Sequence, residues 1–112
     1  MGGEKMRTRE ELIHQWPFLL DLARLAAQIC AAKAVYVFGS KARGDDVGDS
    51  DFDIAVDTNA SNNCWSKFVI DGPEILCLIS RFDFVRLDEA NKNLRNSIAA
   101  EGVMIYDGKV AK

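Results

Sequence analysis

The segment 51–57 places the strongest constraint on the fold, because its apolar and acidic residues alternate along the chain. The apolar positions are Phe52, Ile54 and Val56, and the acidic positions are Asp51, Asp53 and Asp57. Successive side chains of a β-strand point to opposite faces, so this pattern predicts a strand with one buried face and one acidic face. Other elements must therefore cover one side of the sheet, while carboxylates remain accessible on the other.

The rest of the chain alternates between helical and extended patterns, which predicts an α/β fold: a small mixed β-sheet with helices packed on one face, that of Phe52, Ile54 and Val56. Thr8 and Glu11 form a capping box that starts a helix near Arg9. A second helix follows Pro17 and ends near Ala32. Further strands are predicted at residues 35–38, 79–85 and 103–106. A loop is predicted at residues 41–49, only a short helix within 58–72, and a last helix with Asp88 as its N-cap and Gly102 at its end.

Length and charge narrow the class of protein. A chain of 112 residues predicts a single domain, residues 1–112, and we expect residues 1–7 to be disordered or tag-derived, with either Met1 or Met6 as the natural start. The net charge of -3 is not typical of a protein that binds nucleic acid through its phosphates. No apolar run approaches the roughly 20 residues of a membrane helix, so we expect a cytoplasmic protein without a membrane partner.

The cysteines do not form a metal motif. Cys30, Cys64 and Cys77 are widely spaced, and His14 is the one histidine of the chain. A zinc site needs clustered Cys and His ligands, so we interpret the cysteines as reduced structural thiols and His14 as structural.

A phosphate-binding turn precedes the acidic strand. Gly39 and Ser40 follow the predicted buried strand, and ten residues separate them from Asp51 and Asp53. Two carboxylates at i and i+2 of a strand lie roughly 6 to 7 Å apart along one face. Such a pair suits two divalent cations, Mg²⁺ or Mn²⁺, which support in-line displacement at phosphorus. Glycine admits a phosphate close to the backbone, and Ser40 offers a hydroxyl and an N–H.

Three further residues are candidates for nucleotide binding. Lys41 and Arg43 could neutralise a triphosphate, although solvated loop charges are an equally good interpretation of both. Ser50 precedes the acidic strand and completes the predicted nucleotide-binding set. That set is Gly39, Ser40, Lys41, Arg43 and Ser50.

The segment from Phe38 to Val56 resembles the DNA polymerase β nucleotidyltransferase superfamily, and most specifically its minimal nucleotidyltransferase (MNT) branch. The family's pattern of Gly-Ser, ten residues and Asp-x-Asp falls on Gly39, Ser40, Asp51 and Asp53. Its third metal carboxylate falls on Asp83. Together, Asp51, Asp53 and Asp83 are the predicted catalytic and metal-binding residues.

Residues other than Asp83 could also supply the third metal-binding carboxylate. Arg86 stands where relatives often carry another acid, and the stretch before Asp83 is not a typical long helix. Asp71 and Asp88 are the alternatives, but Asp71 precedes Gly72-Pro73 in a predicted turn, and Asp88 is predicted to be a cap.

The resemblance also implies a function and a partner. MNT proteins pair with helical HEPN-type proteins in toxin–antitoxin systems, so the implied activity is transfer of AMP from ATP to a partner tyrosine. One alternative is an aminoglycoside-like small-molecule acceptor, bound between this chain and a partner subunit. Another alternative is a non-catalytic module that occludes its partner.

Overall fold

The computed structural model describes residues 6–45 and 50–109. The helices are α1 (Arg9–Gln15), α2 (Phe18–Cys30), α3 (Gly39–Arg43), α4 (Asn62–Ile75) and α5 (Lys92–Glu101), with one 3₁₀ turn at Leu87–Glu89. The strands are β1 (Ala34–Phe38), β2 (Phe52–Asp57), β3 (Phe82–Arg86) and β4 (Val103–Asp107). The α/β fold class predicted from the sequence is confirmed.

The four strands form one mixed sheet in the order β3-β2-β1-β4. β1 pairs antiparallel with both β2 and β4, whereas β2 and β3 are parallel. Parallel strands cannot be joined by a tight turn, and here α4 forms most of the crossover between β2 and β3. This crossover places Asp83 beside the acidic strand.

The main core lies between the sheet and helices α1, α2 and α4. Its buried members from these helices include Leu12, Leu19, Leu22, Ala26 and Phe68, and those from the sheet include Val35, Val37, Ile54, Val56 and Ile105. Phe52 joins an aromatic group with Trp16, Phe18 and Phe82, with ring centroids 5.1 to 5.9 Å apart. The predicted apolar face of β2 is therefore the covered face.

Helix α5 contacts the opposite side of the sheet, so the helices are not confined to one face as predicted. Its Ile98 is buried, and α5 lines a cavity together with Tyr36 and Asp57, whose side chains alternate with those of the core. Burial, Asp57 and Asp107 raise the pKa of Tyr36. The acidic face is therefore open beside Asp53 and partly covered near Tyr36.

The helix starts follow from capping groups. The Thr8 hydroxyl accepts a hydrogen bond from the Glu11 N–H at 3.1 Å, and the Glu11 carboxylate accepts one from the Thr8 N–H at 2.8 Å, so the predicted capping box is confirmed. The predicted cap at Asp88 is wrong, because Asn91 accepts from the Leu94 N–H at 2.8 Å and begins α5. Gly102 ends α5 as predicted.

Two regions differ from the predicted pattern. α3 covers residues 39–43, so residues 41–43 are helical rather than part of the predicted loop at 41–49, and Gly44, with φ of 83°, ends that helix. α4 is longer than predicted because the Ser61 hydroxyl caps its first turn, and Pro73 lies within its last turn. Residues 46–49 of the predicted loop lie outside the described residues.

The start of the described chain is held against α3 by hydrogen bonds. Arg7 donates from its backbone N–H to the Ala42 carbonyl at 2.9 Å and from its guanidinium to the Lys41 carbonyl at 2.8 Å. Residues 1–5 lie outside the described part. Across residues 6–45 and 50–109, no helix is long and apolar enough to cross a membrane.

Candidate active site

Asp53 and Asp83 lie directly beside each other on neighbouring strands. They are register partners in the parallel pair β2 and β3, so their side chains project from the same face of the sheet. Asp83 is exposed and Asp53 is half-buried. The structure thus brings together two of the three predicted metal-binding residues.

Asp51 lies just before the first residue of β2, and its side chain is exposed. It is close enough to Asp53 to raise the pKa of that carboxyl. The predicted trio of Asp51, Asp53 and Asp83 therefore shares one region at the start of β2 and β3.

The Asp53 carboxyl has an unfavourable environment for its negative charge. Burial raises its pKa most, and the neighbouring charges of Asp83 and Asp51 raise it further, while Arg43 lowers it. Desolvation and like charges both disfavour an ionised acid. A bound cation would remove this penalty, because it supplies the opposite charge that the acidic face needs.

The described residues, 6–45 and 50–109, contain no group of three or more His, Cys, Asp or Glu side chains that forms a ready metal cage. The donor type nevertheless fits a hard cation, since carboxylate oxygens are the ligands that Mg²⁺ and Mn²⁺ prefer.

Gly39 lies against Asp53. Its φ is 74°, and a Cβ atom at this position would overlap the Asp53 Oδ2 atom. Phe38, the preceding residue, is the register partner of Asp53 across β1 and β2. Glycine is therefore required here both by the left-handed backbone and by the close approach of the carboxylate.

Ser40 follows in the first turn of α3 and is half-buried. Its carbonyl accepts hydrogen bonds from the N–H groups of Gly44 and Asp45, at 2.9 and 3.2 Å. The backbone of Ser40 is thus fixed by the end of α3, next to the glycine that touches Asp53.

Arg43 connects three parts of the site. Its Nε donates to Asp45 at 3.1 Å and its Nη1 donates to Glu101 at 3.2 Å. The side chain remains about two-fifths exposed, at 41%. Arg43 is therefore an accessible cation whose charge acts on Asp53.

Sequence reasoning did not single out Glu101, which holds Arg43 from the last turn of α5. The two residues are 58 positions apart in the chain. No local pattern signals such a pair, because it exists only once α5 packs beside α3.

Lys41 is not a solvated loop residue. It is 4% exposed, and its Nζ atom lies 4.9 Å from the ring centroid of Trp16 and 4.6 Å from that of Phe52. Aromatic rings stabilise a cation held over their faces. The structure therefore places the Lys41 ammonium on the aromatic side of β2.

Ser50 lines the same cavity as Lys41, whose ammonium lies over Trp16 and Phe52. The Ser50 hydroxyl, by contrast, is buried and has no hydrogen-bond partner among the described residues. This cavity of about 360 Å³ is lined by Trp16, Lys41, Ser50, Phe52, Ile79, Ser80 and Arg81. Ser50 and Lys41 thus share a cavity on the side of β2 opposite to Asp53.

The two competitors of Asp83 have other partners. Asp71 lies within α4, not in a turn, and pairs with Lys67 at 3.5 Å. Asp88 accepts hydrogen bonds from the Arg86 guanidinium at 3.0 and 2.9 Å. Neither raises the pKa of Asp53, whereas Asp83 does.

A sheet edge with neighbouring carboxylates, beside a glycine-serine turn that opens a short helix, defines the polymerase-β-like class of α/β nucleotidyltransferase folds. The family model described as "Polymerase beta, Nucleotidyltransferase" matches residues 21–110. The chain therefore belongs to the polymerase beta nucleotidyltransferase family, as the sequence predicted. None of the curated proteins matches the sequence.

Solved structures with the same fold include toxin–antitoxin complexes. One, a toxin–antitoxin with AMP-PNP, is 23% identical with a TM-score of 0.65, over 79% of this chain and 73% of the other. A second, a tri-AMPylated HEPN toxin of Shewanella oneidensis in complex with an MNT antitoxin, is 22% identical with a TM-score of 0.59, over 80% and 69%. A third, a candidate minimal nucleotidyltransferase, is 25% identical with a TM-score of 0.62, over 87% and 95%.

Proposed function

We propose that this chain transfers AMP from ATP to a hydroxyl group, most specifically a tyrosine, of a HEPN-type partner protein, and acts as the antitoxin of that pair. The pairing of Asp53 with Asp83 beside Gly39 carries this proposal, because it supplies the acidic face that nucleotidyl transfer requires. Neighbouring structures support the choice of nucleotide and acceptor, since one contains AMP-PNP and another contains an AMPylated HEPN toxin.

Two Mg²⁺ or Mn²⁺ ions would be held by Asp51, Asp53 and Asp83. When bound, such ions neutralise the charge that develops on the attacking and leaving oxygens. The half-buried Asp53 would be the central ligand of this set, because the charges of both other acids act on it. The exposed Asp83 lies on the side from which an acceptor can approach.

The nucleotide is proposed to lie between the acidic face and α3. Gly39 leaves the backbone open to a phosphate, Ser40 offers its hydroxyl and N–H, and the accessible Arg43 neutralises the triphosphate. Lys41 and Ser50 border the cavity on the opposite side of β2, where the Lys41 ammonium lies over the ring of Phe52.

At the α-phosphorus, the reaction forms one bond and breaks one. The acceptor oxygen attacks the α-phosphorus of ATP, the bond from that phosphorus to the bridging oxygen of the β-phosphate breaks, and pyrophosphate leaves. The acceptor hydroxyl loses its proton to water. A protein contributes to phosphoryl transfer mainly by positioning the two oxygens in line and by stabilising the developing charge.

We place this reaction in the cytoplasm. Cys30, Cys64 and Cys77 are all free thiols, which is typical of proteins in reducing compartments.

The direct test is incubation of the purified chain with ATP, GTP, CTP or UTP and MgCl₂, with and without the product of the neighbouring gene as the candidate HEPN-type partner. Intact-mass analysis should show the addition of AMP to the partner with ATP. Asp53→Asn serves as the matched control, because it removes a charge from the acidic face while keeping the shape of the side chain.

Other results of this experiment would distinguish the two alternative functions, a small-molecule acceptor and a non-catalytic binding module. Consumption of ATP only in the presence of an aminoglycoside would indicate a small-molecule acceptor. A stable complex without any change in mass would indicate a binding module that occludes its partner.

A further inference from the structure

Strand β3 is an edge strand beside the candidate active site. Within the described residues its one neighbouring strand is β2. The Arg81 carbonyl accepts a hydrogen bond from the Phe52 N–H at 3.0 Å, so the backbone polar groups of Arg81 point towards β2. Successive residues of a strand direct these groups to opposite sides, so those of Phe82 and Phe84 point away from the sheet.

Asp83 lies between these two outward-facing residues. Its backbone is directed towards β2, whereas its side chain projects from the acidic face beside Asp53. In an antiparallel pair formed at this edge, the residue opposite Asp83 would occupy a non-hydrogen-bonded position, where Cα atoms approach to roughly 4.5 Å. Its side chain would project from the same face as Asp83.

We propose that the acceptor segment of the partner protein binds as an extended strand along the outer edge of β3. This inference rests on the proposed function and specifies how the acceptor reaches the site. Opposite or diagonal positions of paired strands lie within reach of each other's side chains. A tyrosine or serine of such a segment would therefore present its hydroxyl beside Asp83 and Asp53.

The surface leading into β3 is suited to a protein partner. The large apolar side chains exposed in the described part of the chain include Ile70, Ile75 and Ile79, and Ile79 is 100% exposed. Ile70 and Ile75 lie on α4, and Ile79 lies in the segment that leads from α4 to β3. Exposed apolar groups next to a functional site are typical of protein-binding surfaces.

The edge itself is protected from indiscriminate pairing. β3 has only five residues, and the exposed, charged Arg81 borders its first outward-facing position. Short, charged edge strands resist aggregation. A specific partner strand can still use the backbone groups of Phe82 and Phe84, as in other cases of β-strand addition.

Amide hydrogen exchange, followed by NMR, tests this proposal in the complex with the candidate HEPN-type partner, the product of the neighbouring gene. The amides of Phe82 and Phe84 should exchange rapidly in the free chain and at least about tenfold more slowly in the complex. The amides of Asp83 and Val85 face β2 and serve as internal controls that are protected in both states.

Two variants provide an independent measurement of binding. Ile79→Arg should raise the Kd for the partner by about tenfold, because a charge replaces an apolar contact. Met104→Arg is the matched control on β4 at the opposite edge of the sheet, where Met104 is 38% exposed, and it should leave the Kd unchanged.

The outcomes distinguish this proposal from the proposed function. If the partner receives AMP while the Phe82 and Phe84 amides exchange as in the free chain, edge pairing is wrong and AMP transfer stands. If these amides become protected but no AMP is transferred, edge pairing stands and the proposed reaction is wrong. If no complex forms and no AMP is transferred, both are wrong.

Discussion

Gly39 lies so close to Asp53 that a methyl group on its α carbon would overlap the Oδ2 atom of the carboxylate. The glycine thus fixes how far the acidic side chain can turn back towards β1. Substitution at this position should change the geometry of the site as well as the stability of the fold.

We expect Gly39→Ala to displace the Asp53 carboxylate and to abolish AMP transfer. The positive φ of Gly39 adds a conformational penalty of roughly 1–2 kcal/mol. Gly44→Ala is the matched control, because Gly44 has a similar φ of 83° at the other end of α3. Chemical denaturation and transfer assays should show comparable destabilisation in both variants but a greater loss of transfer for Gly39→Ala. Equal losses of transfer would mean that backbone strain alone explains the requirement for glycine.

Mg²⁺ or Mn²⁺ together with ATP should raise the Tm of the wild-type chain, because ligands that bind only the folded state stabilise it. Asp53→Asn should remove most of this increase, since it takes the central carboxylate out of the acidic face. Differential scanning fluorimetry measures both effects. An unchanged increase in the variant would locate the ligand site away from β2.

Asp53 should also make the stability of the metal-free chain depend on pH. Its pKa is raised in the folded state, so the folded chain retains the proton to higher pH than the unfolded chain, in which the pKa is about 3.9. This contribution to stability is complete below the unfolded pKa and is lost as the pH rises through the folded pKa. In EDTA, the free energy of unfolding of wild type relative to Asp53→Asn should therefore fall as the pH rises from about 4. A difference that is constant with pH would contradict a raised pKa.

Asp83→Ala should bind ATP with magnesium nearly as well as wild type but lose transfer by about 10³-fold or more. Metal-assisted stabilisation of a transition state is worth several kcal/mol, and each 1.36 kcal/mol is about tenfold in rate. Nucleotide titration and single-turnover kinetics separate the two effects.

Asp71→Ala and Asp88→Ala are the controls for this variant. Asp71→Ala should change stability by no more than about 0.5 kcal/mol, since its partner Lys67 is exposed. Asp88→Ala should cost roughly 1–3 kcal/mol, because it leaves the buried guanidinium of Arg86 without its carboxylate. Normal transfer by Asp83→Ala together with loss in either control would assign the third carboxylate elsewhere.

The three thiols should react in order of exposure. Cys77 is exposed, whereas Cys30 is buried and its Sγ donates to the Cys64 carbonyl at 3.4 Å. Burial raises the pKa of the Cys30 thiol, which lowers its thiolate fraction at neutral pH. Mass spectrometry after limited alkylation should find Cys77 modified first and Cys30 last. Early modification of Cys30 would mean that the contact between α2 and α4 opens readily.

The acidic strand β2 could be predicted because the sequence pattern that defines it lies within the strand and the turn before it. Alternation at positions 51–57 defines both faces of β2, and the Gly39-Ser40 turn precedes it at a recognisable spacing. The capping box at Thr8 and Glu11 is local in the same sense. These features require no knowledge of what packs against them.

The errors arose where distant contacts decide the structure. α3 forms because Ala42 is buried in the core and Lys41 lies over Trp16 and Phe52, which the sequence around position 41 does not show. Aspartate is a common N-cap residue, but Asp88 instead accepts a hydrogen bond from Arg86. Arg86 also donates to the Ala60 carbonyl at 2.8 Å. Tertiary contacts overrode local propensity in both cases.

The parallel pairing of β2 and β3 also has a kinetic consequence. Hairpin-like contacts between β1 and β2 close a short loop, whereas β3 can join the sheet only after the whole α4 crossover has folded back. Contacts between residues far apart in sequence form slowly, because closing the chain loses conformational entropy before the contacts that stabilise the closed loop have formed. We therefore expect Asp83 to reach Asp53 late in folding. A nascent or partly folded chain would then lack the complete acidic site and could not transfer AMP from ATP.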